Sequence, residues 1–221
     1  MTPAPSNPAP TNPGSTNPGS TNPASTPKGE RRKQALIEAA ANQLEELGLD
    51  AVTHRAVARR AGLPLASTTY YFATRDEVLL AALDHSGQRE LDQLGRSAAS
   101  DAPVPRQARE LAGHLAMIVA GGPAGSRRIP ARVERMVAVV RRPALRPHAQ
   151  RYQDAEAAIL ADVLDRAGRV ATVDSLRTLR ALLDGIVLEA LISGALDAEL
   201  VVARSLEPVL DALAPLAPSR S

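Results

Sequence analysis

The chain has no cysteine and no tryptophan, one phenylalanine and three tyrosines, and only two of its 26 basic residues, Lys28 and Lys33, are lysines. Without cysteine there are no disulfides, thiolate metal sites or cysteine nucleophiles. With four aromatics in 221 residues, the core has to be built from the Ala, Leu and Val that dominate the 44% hydrophobic fraction. Helix-forming aliphatics without β-branched or aromatic runs predict an all-α fold. No stretch reaches the roughly 18 uninterrupted apolar residues of a membrane span, and no charged-then-apolar N-terminus marks export, so a cytoplasmic protein is expected. Dinucleotide and P-loop glycine patterns, His-Glu-x-x-His and nucleophile elbows are missing as well, so nothing points to an enzyme. The four histidines (His54, His85, His114 and His148) are scattered, and no metal or cofactor is expected.

What is present falls into distinct segments. Residues 1–27 repeat Asn-Pro every five positions, from Asn7-Pro8 to Asn22-Pro23, among Thr, Gly and Ser. Nothing in that repeat is able to form a core, which predicts a disordered, extended tail. From Lys28 the composition changes abruptly. Leu36, Ile37, Ala40, Leu44 and Leu47 follow a 3.6-residue period, predicting a helix over about 30–47 that stops at Gly48. Thr53 is placed to cap a second helix reaching about Ala61, Gly62 forms a turn, and Pro64 opens a short third helix from Leu65 to about Phe72. Thr74 and Glu77 have capping-box spacing ahead of a long fourth helix. Beyond it, loops are expected at 100–105 and 121–126, with Pro143, Pro147 and Gly168 as further breaks. Two apolar helices close the chain, about Thr172–Ser193 and Asp197–Leu213. The first is apolar nearly all round and needs cover on more than one side.

The 53–72 segment has the proportions of a helix-turn-helix, whose second helix enters the DNA major groove. Two features support that reading. Three of the four aromatics are consecutive, Tyr70, Tyr71 and Phe72. Neighbouring helical residues point in different directions, so at least one tyrosine hydroxyl should face outward, where it is able to meet a phosphate. Residues 28–75 also carry eight basic against five acidic side chains, a net +3 that exceeds the +2 of the whole chain. Those basic groups sit at helix starts and in an arm, where duplex phosphates would approach.

The residues themselves resemble the TetR family of bacterial regulators. The likeness runs through Leu36-Ile37-x-Ala39-Ala40, Leu44, Gly48, Thr53, Val57-Ala58, Ala61-Gly62-Leu63, Tyr71-Phe72 and Arg75-Asp76-Glu77-x-Leu79-Leu80. It implies a three-helix DNA-binding head over 28–75, a helical effector-binding and dimerisation body over 76–215, and a flexible end at 216–221. Arg31, Arg32 and Lys33 would form an arm on the duplex. Thr53, His54 and Arg55 would meet the backbone at the start of the second helix. Pro64, Leu65, Ala66, Ser67, Thr69 and Tyr70 would lie on the recognition helix, with Tyr71 and Arg75 as phosphate anchors. The chain departs from the family pattern at Pro64, Ala66 and Thr69, where Ser or Thr, Gly, and Tyr are usual, which leaves open whether Tyr70 or Tyr71 touches DNA. Leu65 and Ala66 suit thymine methyls rather than hydrogen-bonded readout.

By the same resemblance the last two helices pair with a second copy, with Leu179, Leu183, Ile186, Val187, Ala190, Leu206, Val209, Leu210 and Leu213 as the expected dimer interface. A small-molecule effector pocket is expected in the body, with His114, Met117, Met136, His148, Tyr152, Asp184 and Glu189 as candidate contacts. Tyr152 is the body's only aromatic, which argues against an aromatic cage and favours an aliphatic or weakly acidic ligand. The functional expectation is a dimeric repressor that binds an inverted-repeat operator and is released by ligand, with the fourth helix as lever. Activation in place of repression stays open. The alternatives are a dimeric small-molecule binder without DNA readout and, more remotely, a helical enzyme.

Overall fold

The computed structural model describes residues 26–99, 103–120, 128–194 and 197–218. Among them are nine α-helices. The head comprises α1 (Pro27–Leu47), a 3-10 turn at Leu49–Ala51, α2 (His54–Arg60) and α3 (Leu65–Tyr71). The body follows with α4 (Arg75–Ala98), α5 (Ala108–Ala120), α6 (Arg128–Arg141), a 3-10 turn at Pro143–Leu145, α7 (Arg146–Arg166), α8 (Val173–Ile192) and α9 (Ala198–Leu213). The Asn-Pro tail through residue 25, the loop residues 100–102 and 121–127, and the last three residues lie outside the described residues.

Cap chemistry sets the helix ends. The hydroxyls of Thr53, Thr74 and Thr172 accept from the amides of Ala56, Glu77 and Ser175 at 3.2, 3.2 and 3.1 Å, and the Asp197 carboxylate accepts from Leu200 at 2.9 Å. Each satisfies an amide that the first turn leaves without a helical partner. At the other end of α2, Leu63 donates to the Ala58 carbonyl and Gly62 to that of Arg59, at 3.0 and 3.2 Å. This is a Schellman closure, which needs the positive φ of Gly62. The first helix begins three residues before the expected position. Thr26 accepts from Gly29 at 3.1 Å and Pro27 supplies the first helical residue, a position where its missing amide costs nothing. The Thr74–Glu77 box closes one residue outward of the usual pattern, with Glu77 accepting from the Ala73 amide at 2.8 Å.

Two hydrophobic clusters organise the chain. One joins Leu36, Ala40, Leu44, Val52, Val57, Phe72, Val78 and Leu79 of the head and early α4, and it also takes in Ala138 of α6 and Leu145 beyond it. The other fills the body, where α9 lies along α5 and against α8, and α7 packs on α4 and α8. This second cluster takes in most of the residues expected at a dimer interface. Leu179, Leu183, Val187, Ala190, Leu206 and Leu210 are fully buried within the chain's own core, and Ile186 and Leu213 are half-buried against it. Val209 is half-buried. The unpartnered side of α8 presents Ala181, Leu182, Gly185, Leu188 and Ile192 to solvent, and α9 adds Ser205, Pro208 and Ala212. A helix apolar on nearly every side gives no periodic signal of which side its own chain will cover.

Candidate DNA-binding face and effector cavity

The short α3 is held onto α2 by one residue. Thr68 is fully buried, and its hydroxyl donates to the Leu65 carbonyl at 2.7 Å while lying 3.4 Å from that of His54. With that side pinned, Leu65, Ala66, Thr69 and Tyr70 are exposed, as is Pro64 at the helix entry, and Ser67 is half-buried. Tyr70 is 51% exposed. Tyr71 is half-buried against the head core and meets the Tyr70 ring edge-on at 4.9 Å. The outward-facing tyrosine is therefore Tyr70, and the inner one supports it. On α2, Arg55 is exposed, as is Arg59 one turn on, whereas Arg60 turns back to grip Glu46 with both guanidinium arms at 2.5 and 2.7 Å. The Thr53 hydroxyl is committed to its cap, and His54 is half-buried. Arg31 and Arg32 are exposed and Lys33 half-buried along α1.

Arg75, expected as a phosphate anchor, makes its contacts within the chain. Its guanidinium donates to the carbonyls of Val52, Leu49 and Asp50 at 2.8, 2.9 and 3.5 Å. It thereby ties the start of α4 to the connection between α1 and α2. The same connection is gripped from the body: the Leu49 amide donates to Glu134 of α6 at 3.5 Å. The carboxylate lies so close that a Cβ at Gly48, whose φ of 80° already favours glycine, would stand 3.2 Å from its oxygen. Glu134, Ala138 and Arg142, spaced by four, form one stripe toward the head, with Arg142 3.3 Å from Asp76 of α4. The neighbouring stripe of α6 faces a cavity.

That cavity has a volume of about 540 Å³ and lies between α4, α6, α7 and α8. Leu80, Leu83, Leu91, Met136, Val139, Val140 and Leu145 make its apolar wall. Four of the seven expected effector contacts line it: Met136, His148, Tyr152 and Asp184. His114, Met117 and Glu189 do not. Met117 and Glu189 are exposed. Burial and nearby Arg166 push the His114 imidazole below its ordinary value, which keeps it neutral on α5.

One side of the cavity is an ionic cluster for which the sequence carries no local signal. Arg132, almost wholly buried on α6, donates to Glu90 at 2.9 Å, to Glu156 at 2.5 Å and to Asp184 at 3.0 and 2.5 Å. Arg135, one turn on, contacts the other oxygen of Glu90 and lies with its guanidinium carbon 5.1 Å from the centre of the Tyr152 ring. Arg180 reaches Asp184 at 2.7 Å, with both side chains largely covered. Three guanidiniums thus meet three carboxylates. Burial alone would raise the Glu90 carboxyl, but Arg135 and Arg132 overcome it and hold it below its ordinary value. Burial prevails at Glu156, whose carboxyl is raised despite Arg132 and whose second oxygen is buried without a hydrogen-bond partner. Burial likewise raises the Tyr152 phenol, keeping it protonated.

Head and cavity, joined through α4 and α6, describe a ligand-responsive DNA-binding regulator, and sequence comparison agrees. The profile of "Bacterial regulatory proteins, tetR family" matches residues 36–82, and that of "Tetracyclin repressor-like, C-terminal domain" matches residues 106–216. The chain belongs to the TetR family of bacterial regulatory proteins.

Among individual relatives, it is 47% identical over 54 residues to the dual regulator CecR of Shigella flexneri, covering 24% of each chain. To the regulator PksA of Bacillus subtilis (strain 168) it is 31% identical over 72 residues, covering 33% of this chain and 35% of PksA. The matched segment therefore spans only about a quarter to a third of those relatives. Structural likeness extends further. The multidrug binding protein EbrR in complex with proflavin is 32% identical, with a TM-score of 0.60 over 80% of this chain and 99% of EbrR. A TetR-family member from Streptomyces coelicolor A3 is 30% identical, with a TM-score of 0.58 over 79% and 98%. Among the described residues, no helix is long and apolar enough to cross a membrane.

Proposed function

We propose that the protein is a dimeric transcriptional repressor that is released from an inverted-repeat operator when an organic ligand enters the α4–α6–α7–α8 cavity. The observation that carries this reading is the double membership of α6. One stripe of the helix lines the cavity with Arg132, Arg135, Met136 and Val139. The adjacent stripe sets Glu134 against the Leu49 amide and packs Ala138 into the head core. A ligand that prefers a shifted α6 weakens DNA binding by the ratio of its affinities for the two arrangements. The lever is then α6 acting on α4 and on the α1–α2 connection, rather than α4 alone.

For the ligand, the likeness to EbrR, solved with proflavin, ethidium and malachite green, supports a planar aromatic cation. The Asp84 carboxylate and the Tyr152 ring on the cavity wall suit such a ligand. This replaces the aliphatic or weakly acidic preference drawn from the scarcity of aromatics. Fluorescence anisotropy of labelled DNA from upstream of the protein's own gene tests both halves of the reading. Nanomolar, sequence-specific binding is expected, with at least tenfold weakening by saturating proflavin. Equal affinity with and without dye, or release by a hydrophobic weak acid such as salicylate and not by dye, would sink the ligand class.

The head's surface makes a second prediction in the same assay. Arg55→Ala should weaken binding across sequences and lower the slope of log affinity against log salt by about one per head, the mark of one lost phosphate contact. Tyr70→Phe should weaken binding by roughly two- to tenfold, as for a lost hydrogen bond. Tyr71→Phe should have less effect than Tyr70→Phe. The reverse order of the two tyrosines would restore Tyr71 as the anchor.

A further inference from the structure

Resting on the cavity's ligand reading, we infer that the Tyr152 ring face and the Glu90 carboxylate form an organic-cation site, which the chain's own Arg135 occupies until a ligand cation displaces it. The pieces come from three helices. Tyr152 of α7 lies so close to α4 that a Cβ on Gly87 would stand 3.3 Å from its ring, so a glycine makes room for it. The Arg135 guanidinium sits over that ring with its carbon 5.1 Å from the centre. One arm contacts Glu90 and approaches the Tyr152 hydroxyl at 3.5 Å, and the other donates to Ser86 at 3.3 Å. A planar cation over an aromatic face beside a carboxylate is the arrangement in which an aromatic ring recognises organic cations.

Arg135 is also placed to leave. Its side chain lines the cavity on a long flexible stem and is more exposed than Arg132, at 12% against 4%. When it goes, Glu90 does not become a buried unpaired charge, because Arg132 keeps its other oxygen at 2.9 Å. The site thus persists for an incoming cation. Arg135 stands next to Glu134 in sequence, so displacing it disturbs α6 where that helix holds the Leu49 amide. Where eviction of Arg135 shifts α6, the ligand distinguishes the two arrangements of that helix, which is what coupling to DNA requires.

The test titrates proflavin into the full-length wild type, Arg135→Met and Tyr152→Leu, followed by dye fluorescence. Removing the resident cation should tighten dye binding at least tenfold, and removing the ring should weaken it at least tenfold. Unchanged or weaker binding to Arg135→Met overturns the inference. A second arm serves if proflavin binds none of the three. Arg135→Ala is then melted with millimolar methylguanidinium or, as a neutral control of similar shape, urea. Selective stabilisation by methylguanidinium upholds the cation site while the dye reading falls. No difference from urea removes the site as well.

Discussion

Replacing Arg132 by alanine is expected to destabilise the protein by about 3–5 kcal/mol, the cost of stripping a buried charge cluster of one partner. The substitution leaves Glu90, Glu156 and Asp184 around a space that only Arg132 fills with positive charge at close range, with Arg135 still on Glu90 and Arg180 still on Asp184. Glu156 loses the guanidinium that holds its one bonded oxygen, and its other oxygen is already unsatisfied. Thermal unfolding followed by circular dichroism should show the midpoint falling by roughly 10 °C for a chain of this size. Glu156→Gln is the informative comparison. Its carboxyl is already displaced toward the neutral form, so an amide there should cost much less than the loss of Arg132. If Arg132→Ala is instead nearly neutral, the three carboxylates do not depend on it, and the cluster has been assigned the wrong role.

The second large effect concerns assembly. Changing Leu188 and Ile192 together to aspartate should convert a dimer to a monomer, measured by light scattering on a sizing column. It should also lower operator affinity by about a hundredfold or more, because the second head then no longer binds as part of the same complex. The choice rests on burial. Ile192 is 72% exposed in the isolated chain, and Leu188, Gly185 and Ala181 continue the same stripe. These side chains contribute little to the body's own core, so the variant should retain its helical circular dichroism. A variant that stays dimeric would move the interface to another face. Substitutions at Leu183 or Leu206, by contrast, should unfold the body rather than dissociate it, since both are fully buried within one chain.

The head was the more readable part of this sequence, because its determinants are local. A threonine that caps, a glycine with positive φ and a proline at a first turn act within three or four residues, so Thr53, Gly62, Pro64 and Thr74 marked α2, α3 and α4 closely. The caps at Thr172 and Asp197 did the same for α8 and α9. The cavity was less legible for the opposite reason. Glu90, Arg132, Glu156 and Asp184 come together from four helices, and each alone reads as an ordinary solvated charge. Arg180 and Asp184 stand four apart, a spacing that solvated helix pairs share, and nothing in it tells that the pair turns inward to join Arg132. Arg75 illustrates a different gap: an arginine at the position of a phosphate anchor turns to nearby carbonyls when a connection such as Leu49–Val52 offers three. Tyr70 and Tyr71 were separable only once Phe72 and the head core fixed which side of α3 faces inward.

The sharing of Ala138 and Leu145 with the head's core bears on how such regulators diversify. A boundary drawn just after Arg75 divides the chain by function but not by packing, because the head completes its interior with residues found more than 60 positions later. A chimera that joins this head to a foreign body would expose the surface those two side chains cover, and it would lose the carboxylate at Leu49. Any engineered exchange should carry the head-facing stripe of α6 along with the head.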